Sequence, residues 1–168
     1  MSDTDAASAR EREVTALPQR VLVGTDGSPT ATLAVRRAAT LAKLFGAEMR
    51  VLSAHREASR GGLWAGATPP DQNWLATASA AAQQVAEKAA GVAREMGVSE
   101  VLPRSVSAEP ADALLDEAEA WKADLIVVGS VGMRSRSRFV LGSVPNKVVH
   151  HAPCAVLVVR QPKDSSSD

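Results

Sequence analysis

The residues best suited to chemistry lie in one stretch, from Gly129 to Ser143, which follows an apolar run and precedes a helical pattern. The first N–H groups of a helix have no partner within it, so they and the helix dipole attract anions. We expect Ser143 to cap this helix, while glycine lets the backbone approach a ligand or adopt positive φ. The stretch predicts a phosphate site built from glycines and supplemented by arginines: Gly129, Gly132, Gly142, Arg134, Arg136 and Arg138.

A second polar group follows the first apolar run of the chain, at Gly24-Thr25-Asp26-Gly27-Ser28. Asp26 suits two roles, because aspartate stabilises tight turns by bonding to its own backbone and can also accept a hydrogen bond from a ligand. The glycine stretch has a plainer interpretation too, as a flexible connection that ends in an ordinary helix cap. Both alternatives stay open at the level of the residues alone.

Several familiar sites are absent from the sequence. It contains no Gly-x-x-x-x-Gly-Lys-Ser/Thr and no Gly-x-Gly-x-x-Gly, so it lacks both the lysine-bearing phosphate loop and the dinucleotide fingerprint. Cys154 is the only cysteine, which excludes an intramolecular disulfide and a cysteine-cluster metal site, and we expect it to be a small buried residue. His150 and His151 are adjacent on a predicted helix, about 100° apart, and make a poor metal pair. No metal site is predicted.

The charge balance excludes some classes of partner. The 168 residues include 19 Lys plus Arg and 19 Asp plus Glu, so the formal net charge is zero, whereas a dedicated nucleic-acid-binding protein needs a basic excess. The longest apolar runs are strand-sized and too short to cross a bilayer, and the polar first twelve residues do not form a secretory signal. We therefore expect a cytoplasmic protein without nucleic-acid or membrane partners.

Strand-like and helix-like segments alternate along the chain, which predicts an α/β fold with a parallel sheet. Pro103, within the third predicted strand, favours an exposed or edge position. Ligands of such sheets bind beyond the carboxyl ends of strands where the winding direction reverses, and both polar groups follow a strand end. We expect one ordered domain over residues 19–160, with disordered tails at 1–18 and 161–168.

The spacing of Gly129, Gly132, Gly142 and Ser143 is similar to the Gly-x2-Gly-x9-Gly-Ser signature of ATP-binding universal stress proteins. The resemblance runs from about Arg20 to Arg160 and includes the two strands that flank the signature. It implies a flavodoxin-like or Rossmann-like three-layer sandwich with a five-stranded parallel sheet in the order 3-2-1-4-5. Members commonly dimerise through the last strand, here Ala155 to Val159, so the resemblance also implies a homodimer.

The resemblance further implies an adenine-nucleotide site at the neighbouring ends of the first and fourth strands. Asp26, with Thr25 beside it, would contact the adenosine, and Ala54 would line the adenine pocket. Val128, Gly129 and Ser130 would approach the ribose and the phosphates. The phosphate chain would be held by Gly132, Gly142, Ser143 and Val144, and the implied site also includes Gly24 and Met133.

The implied function is regulatory, in a stress response, with ATP bound and magnesium reaching the site through the nucleotide. Cyclic AMP or AMP is an open alternative, because a smaller phosphate could use the same helix start and Val131 stands where the family often has histidine. A slow ATPase or phosphotransferase is another, although the sequence offers no general base with a metal site, as phosphoryl transfer needs. A dimerisation module without a ligand is the third alternative, and it would have no need of the glycine signature.

Overall fold

The computed structural model describes residues 17–55, 72–131 and 141–161. Of the predicted site, Gly132 and Met133 lie outside the described residues, as do the three loop arginines. Most of the predicted tails also lies outside them, so the division of the chain into one domain and two tails stays a prediction. No helix within the described ranges is both long and apolar enough to cross a membrane.

Five strands alternate with four helices in the described residues, as the sequence pattern predicts. The strands are β1 (Arg20–Gly24), β2 (Glu48–His55), β3 (Val101–Ser107), β4 (Leu125–Gly129) and β5 (Ala155–Val159). The helices are α1 (Pro29–Phe45), α2 (Gln72–Glu95), α3 (Pro110–Trp121) and α4 (Ser143–His151).

The strands form one parallel sheet in the order β3-β2-β1-β4-β5. This confirms the predicted fold class and strand order. The order reverses between β1 and β4, which pair directly with Val23 opposite Val127. The winding direction therefore changes where both chemically distinctive segments leave the sheet.

The sheet is covered on both faces, which gives the chain two apolar cores. Alternate strand residues face opposite sides, because the side-chain period of a strand is two. One core lies under α1 and α2 and includes Val21, Val23, Met49, Val51 and Val127. The other lies under α3 and α4 and includes Leu22, Leu52, Ile126, Val128 and Val148. Burial of both faces explains why β4 reads as an unbroken apolar run.

Helix α1 begins and ends through local signals in the sequence. Ser28 has extended backbone angles, and its Oγ accepts a hydrogen bond from Ala31 N–H at 3.2 Å, while Pro29 fills the first helical position. Gly46 ends the helix at φ 66°, the left-handed conformation that glycine tolerates. The start of α1 is thereby fixed next to the end of β4, where the candidate site lies.

The two edge strands, β3 and β5, differ in whether their outward-facing N–H and C=O groups are available to pair with another strand. On the inner side of β3 the Glu100 carbonyl accepts from Met49 N–H, and Ala108 N–H donates to the His55 carbonyl. Because successive residues of a strand point their backbone groups to opposite sides, Val101, Pro103 and Ser105 direct theirs outward. Pro103 has no N–H to offer, and the Val101 carbonyl accepts from the Arg94 guanidinium at 3.0 Å. Edge β3 is therefore protected against further pairing, as the position of Pro103 predicts.

Edge β5 has no such protection from any residue that the structure describes. The Val159 carbonyl accepts from Ser130 N–H, so Val159, Leu157 and Ala155 direct their backbone groups toward β4. Val156 and Val158 then direct theirs to the open side. All five residues of β5 are apolar, and none is proline or charged. An apolar edge of this kind is ready to pair with another strand.

Candidate functional site

The site is built where β1 and β4 end side by side. Because Val23 pairs with Val127, the segments Gly24 to Asp26 and Val128 to Ser130 leave the sheet next to each other. A third segment, the start of α4, is attached to the second, since Gly142 N–H donates to the Ser130 carbonyl at 2.9 Å. The structure therefore brings together the described residues of the two groups that the sequence singles out.

Gly129 is required by the fold itself. A Cβ at this position would lie 3.1 Å from the carbonyl carbon of Thr30 and 3.2 Å from the backbone nitrogen of Ala31. These are backbone atoms of the first turn of α1, so they cannot move aside as a flexible side chain would. Gly129 does not have positive φ, and its lack of a side chain lets α1 begin directly against the end of β4.

The N-cap of α4 lies one residue earlier than the sequence predicts. Gly142 is the N-cap, with φ −61° and ψ 165°, and Ser143 is already helical, so the expectation that Ser143 caps the helix is wrong. The cause is the hydrogen bond from Gly142 N–H to Ser130, which holds Gly142 in extended geometry. No side chain caps the helix among the described residues, so its first N–H groups have no side-chain acceptor there.

These N–H groups belong to Ser143 and Val144. Within the described ranges neither donates to a protein acceptor, and the third helical residue, Pro145, has no N–H. The first turn also contains no acidic residue that would offset the positive end of the helix dipole. The helix start can therefore hold an anion through two N–H donors.

Gly142 is not explained by the fold in the way that Gly129 is. Its φ of −61° suits any residue. A Cβ here would lie 3.5 Å from Pro145 Cδ and 3.5 Å from Val131 Cα, which is ordinary van der Waals contact. The described protein would accept a side chain at this position, so a ligand that approaches the backbone supplies a reason for glycine that internal packing does not.

Asp26 and Thr25 both stabilise the turn after β1. Asp26 Oδ1 accepts from Ser28 N–H at 3.0 Å, and Thr25 Oγ1 accepts from Gly27 N–H at 3.2 Å. Thr25 is buried and its N–H donates to the Leu52 carbonyl, whereas Asp26 is exposed. The turn role of Asp26 is thus present, and its side chain is exposed at this end of the sheet.

The other predicted positions differ in what they can offer a ligand. Val128 is buried in the core at 3% exposure, so its side chain cannot contact a nucleotide and only its backbone could. Gly24 lies against α3, where an added Cβ would meet Leu114 Cδ1 at 2.8 Å. Ala54 is half-buried near the end of β2 on the α3 face, and Ser130 is buried.

Two grooves among the described residues, of about 460 and 390 Å³, lie at the other end of the strands, where the strands begin. The larger is lined by residues at or just before the starts of strands, such as Arg20, Glu48 and Asp124. No group of three His, Cys, Asp or Glu in the described part of the chain could hold a metal ion. Neither groove contains a predicted site residue.

Sequence reasoning missed two links around α4. Ser130 N–H donates to the Val159 carbonyl at 2.8 Å, which joins the end of β4 to the end of β5. Lys147 forms an ion pair with Asp112 at 2.5 Å, which ties α4 to the first turn of α3. The first link joins residues 29 positions apart and the second joins residues 35 apart, and no short-range pattern in the sequence signals them.

Cys154 gives a prediction about reactivity. Burial, followed by the nearby Asp124 carboxylate, raises the pKa of its thiol from 9.0 to about 11. Because the thiolate is the nucleophile, the native thiol at pH 8 should react with iodoacetamide on the order of 100-fold more slowly than the same thiol in urea. Cys154 is half-buried rather than fully buried as the sequence predicts. Mass spectrometry of timed samples measures both rates, and equal rates would contradict the effect of this partial burial.

The comparisons with known proteins agree with this architecture. The family model for the universal stress protein family matches residues 18–160. A universal stress protein from Mycobacterium tuberculosis is 34% identical over 145 residues, which is 83% of this chain and 94% of that protein. A universal stress protein crystallised in complex with cAMP is 31% identical, with a TM-score of 0.63, and the match covers 86% of this chain and 98% of that one. UspA from Lactobacillus plantarum, at 24% identity, shares the fold with a TM-score of 0.75 over 87% of this chain and 100% of its own. The chain belongs to the universal stress protein family.

Proposed function

We propose that this universal stress protein binds an adenine nucleotide, ATP, at the adjoining ends of β1 and β4, and acts as a regulator in the cytoplasm during stress. The observation that carries the proposal is the start of α4, where the N–H groups of Ser143 and Val144 have no acceptor among the described residues. Gly142 supports it, because the protein itself would accept a side chain there. In this proposal the phosphates lie on α4, Asp26 contacts the adenosine, and magnesium arrives with the nucleotide.

Cyclic AMP is the second candidate ligand, and a specific observation favours it. The relative that is 31% identical was crystallised with cAMP. Two N–H donors suffice for a single phosphate, and Val131 contributes no polar side chain beside Ser130. A longer phosphate chain would depend more on the residues between Val131 and Leu141, where Arg134, Arg136 and Arg138 could neutralise it.

The proposed assembly is a homodimer through β5. The contrast between the edges supports it, because β3 is protected by Pro103 and Arg94 while β5 is apolar and open. Pairing two copies of β5 would extend the sheet across both protomers and satisfy the outward groups of Val156 and Val158. The same surface serves both partners, as a twofold dimer requires.

The ligand can be identified directly. Mass spectrometry of small molecules released from freshly purified protein should show ATP, and isothermal titration should show ATP binding at least tenfold more tightly than cAMP. A preference for cAMP of tenfold or more would replace ATP as the ligand. Failure of ATP, AMP and cAMP to bind the natively folded protein would overturn the proposed function.

A further inference from the structure

Two successive hydrogen bonds connect the open edge of the sheet to the start of α4. The Val159 carbonyl at the end of β5 accepts from Ser130 N–H at 2.8 Å, and the Ser130 carbonyl accepts from Gly142 N–H at 2.9 Å. Gly142 is the N-cap residue that sets the direction of the first N–H groups of α4. Any loosening of the end of β5 therefore reaches the proposed phosphate site through only one intervening residue.

The middle of this connection is buried and the outer end is not. Ser130 is 8% exposed, so breaking its two backbone hydrogen bonds without replacement would leave buried polar groups unpaired, which is costly. The last four residues of β5 are only partly buried, and among the described strands β5 pairs with β4 alone. Strands of this kind open locally more easily than central strands do.

We infer that nucleotide binding and the pairing of the β5 edge are thermodynamically coupled, each stabilising the other through Ser130. The inference rests on the proposed nucleotide site. A nucleotide held by Ser143 and Val144 stabilises the geometry of Gly142, and through it the hydrogen bond to Val159. A second copy paired along β5 stabilises the same hydrogen bond from the other end.

The coupling must be reciprocal. If ATP tightens the dimer by a given factor, dimer formation tightens ATP binding by the same factor, and such couplings typically amount to about 5- to 150-fold. We expect at least about a fivefold effect, because two backbone hydrogen bonds and one buried residue join the sites directly. The protein would then respond to nucleotide level by changing its assembly.

The first experiment measures the dimer dissociation constant of the full chain by sedimentation over a dilution series, with and without saturating Mg·ATP. The constant should fall at least about fivefold with ATP. If the dimer is too tight to dissociate on dilution, the rate of subunit exchange between two labelled populations is measured in place of the dissociation constant. ATP should slow this exchange by a similar factor. An unchanged constant and an unchanged rate would overturn the inference.

The second experiment perturbs the edge without touching the nucleotide site. Val158→Pro removes an N–H that points to the open side, and so leaves the hydrogen bonds to β4 in place. Val158→Ala, the matched control, trims the same side chain but keeps the N–H. Val158→Pro should be monomeric and bind ATP more weakly by the factor measured above, whereas Val158→Ala should retain both properties.

A third measurement keeps the inference falsifiable should Val158→Pro not fold. In the wild-type protein, hydrogen exchange of the Val156 and Val158 amides should slow when Mg·ATP is added, because these groups become paired more of the time. ATP binding with no change in β5 exchange or in dimerisation overturns the coupling and leaves the proposed function standing. Absence of any nucleotide binding is a different outcome, since it overturns the proposed function itself.

Discussion

Replacing Gly142 with aspartate should weaken ATP binding on the order of 100-fold, equivalent to about 2.7 kcal/mol, while leaving the fold intact. Gly142 has extended N-cap geometry, and aspartate is among the best N-cap residues. Its carboxylate would accept from Val144 N–H, since Pro145 offers none, and so would occupy an anion donor. It would also place a negative charge where the proposal places the phosphates. Isothermal titration measures the loss, and circular dichroism checks the fold.

Two further substitutions at the same position separate charge from shape. Gly142→Asn has nearly the same size and caps in the same way but carries no charge, so it should lose much less affinity than Gly142→Asp. Gly142→Ala should leave stability nearly unchanged, because its Cβ would lie no closer than 3.5 Å to the nearest described atoms. Equal losses for Asp and Asn would show that the added negative charge is not the cause, and that the capped Val144 N–H or crowding is. Wild-type affinity in Gly142→Asp would show that the phosphates do not bind at the start of α4.

Gly129→Ala should lower the free energy of unfolding by about 1–3 kcal/mol. The added Cβ would lie 3.1 Å from Thr30 and 3.2 Å from Ala31 backbone atoms, so the first turn of α1 must shift away from β4. That shift disturbs the packing of a helix that contacts the central strands. Urea denaturation followed by circular dichroism gives the change in unfolding free energy.

Gly91→Ala is the matched control for this loss. Gly91 lies in the interior of α2, and an added Cβ would meet nothing within 4 Å. Because alanine favours helix over glycine, this change should raise stability by about 0.5–1 kcal/mol. Loss of stability at Gly91, or none at Gly129, would show that the close approach of α1 to β4 is not what requires glycine at position 129.

The fold could be predicted from the sequence because local signals agree with one another. Ser28, Pro29 and Gly46 bound α1 as their residue types predict, and the apolar run of β4 indicates a strand buried on both faces. Pro103 predicts the edge position of β3 from its missing N–H alone. These properties depend on residues close together in sequence, so periodicity and turn chemistry reveal them.

The candidate site was only partly predictable, because its details depend on distant segments. The need for glycine at 129 comes from the first turn of α1, about a hundred residues earlier. The N-cap moves from Ser143 to Gly142 because Gly142 donates to Ser130. A side-chain preference for capping cannot anticipate a backbone hydrogen bond between segments that meet only after folding.

The unequal edges of the sheet determine how large an assembly can grow. A sheet with two exposed, pairable edges could add copies at both ends and extend without limit into a filament. Here Pro103 and Arg94 make β3 a poor template, so copies joined through β5 would form a finite pair whose two outer edges are both β3. A twofold pair buries its pairing edge when it closes, so in the proposed dimer strand-mediated association would stop at two chains.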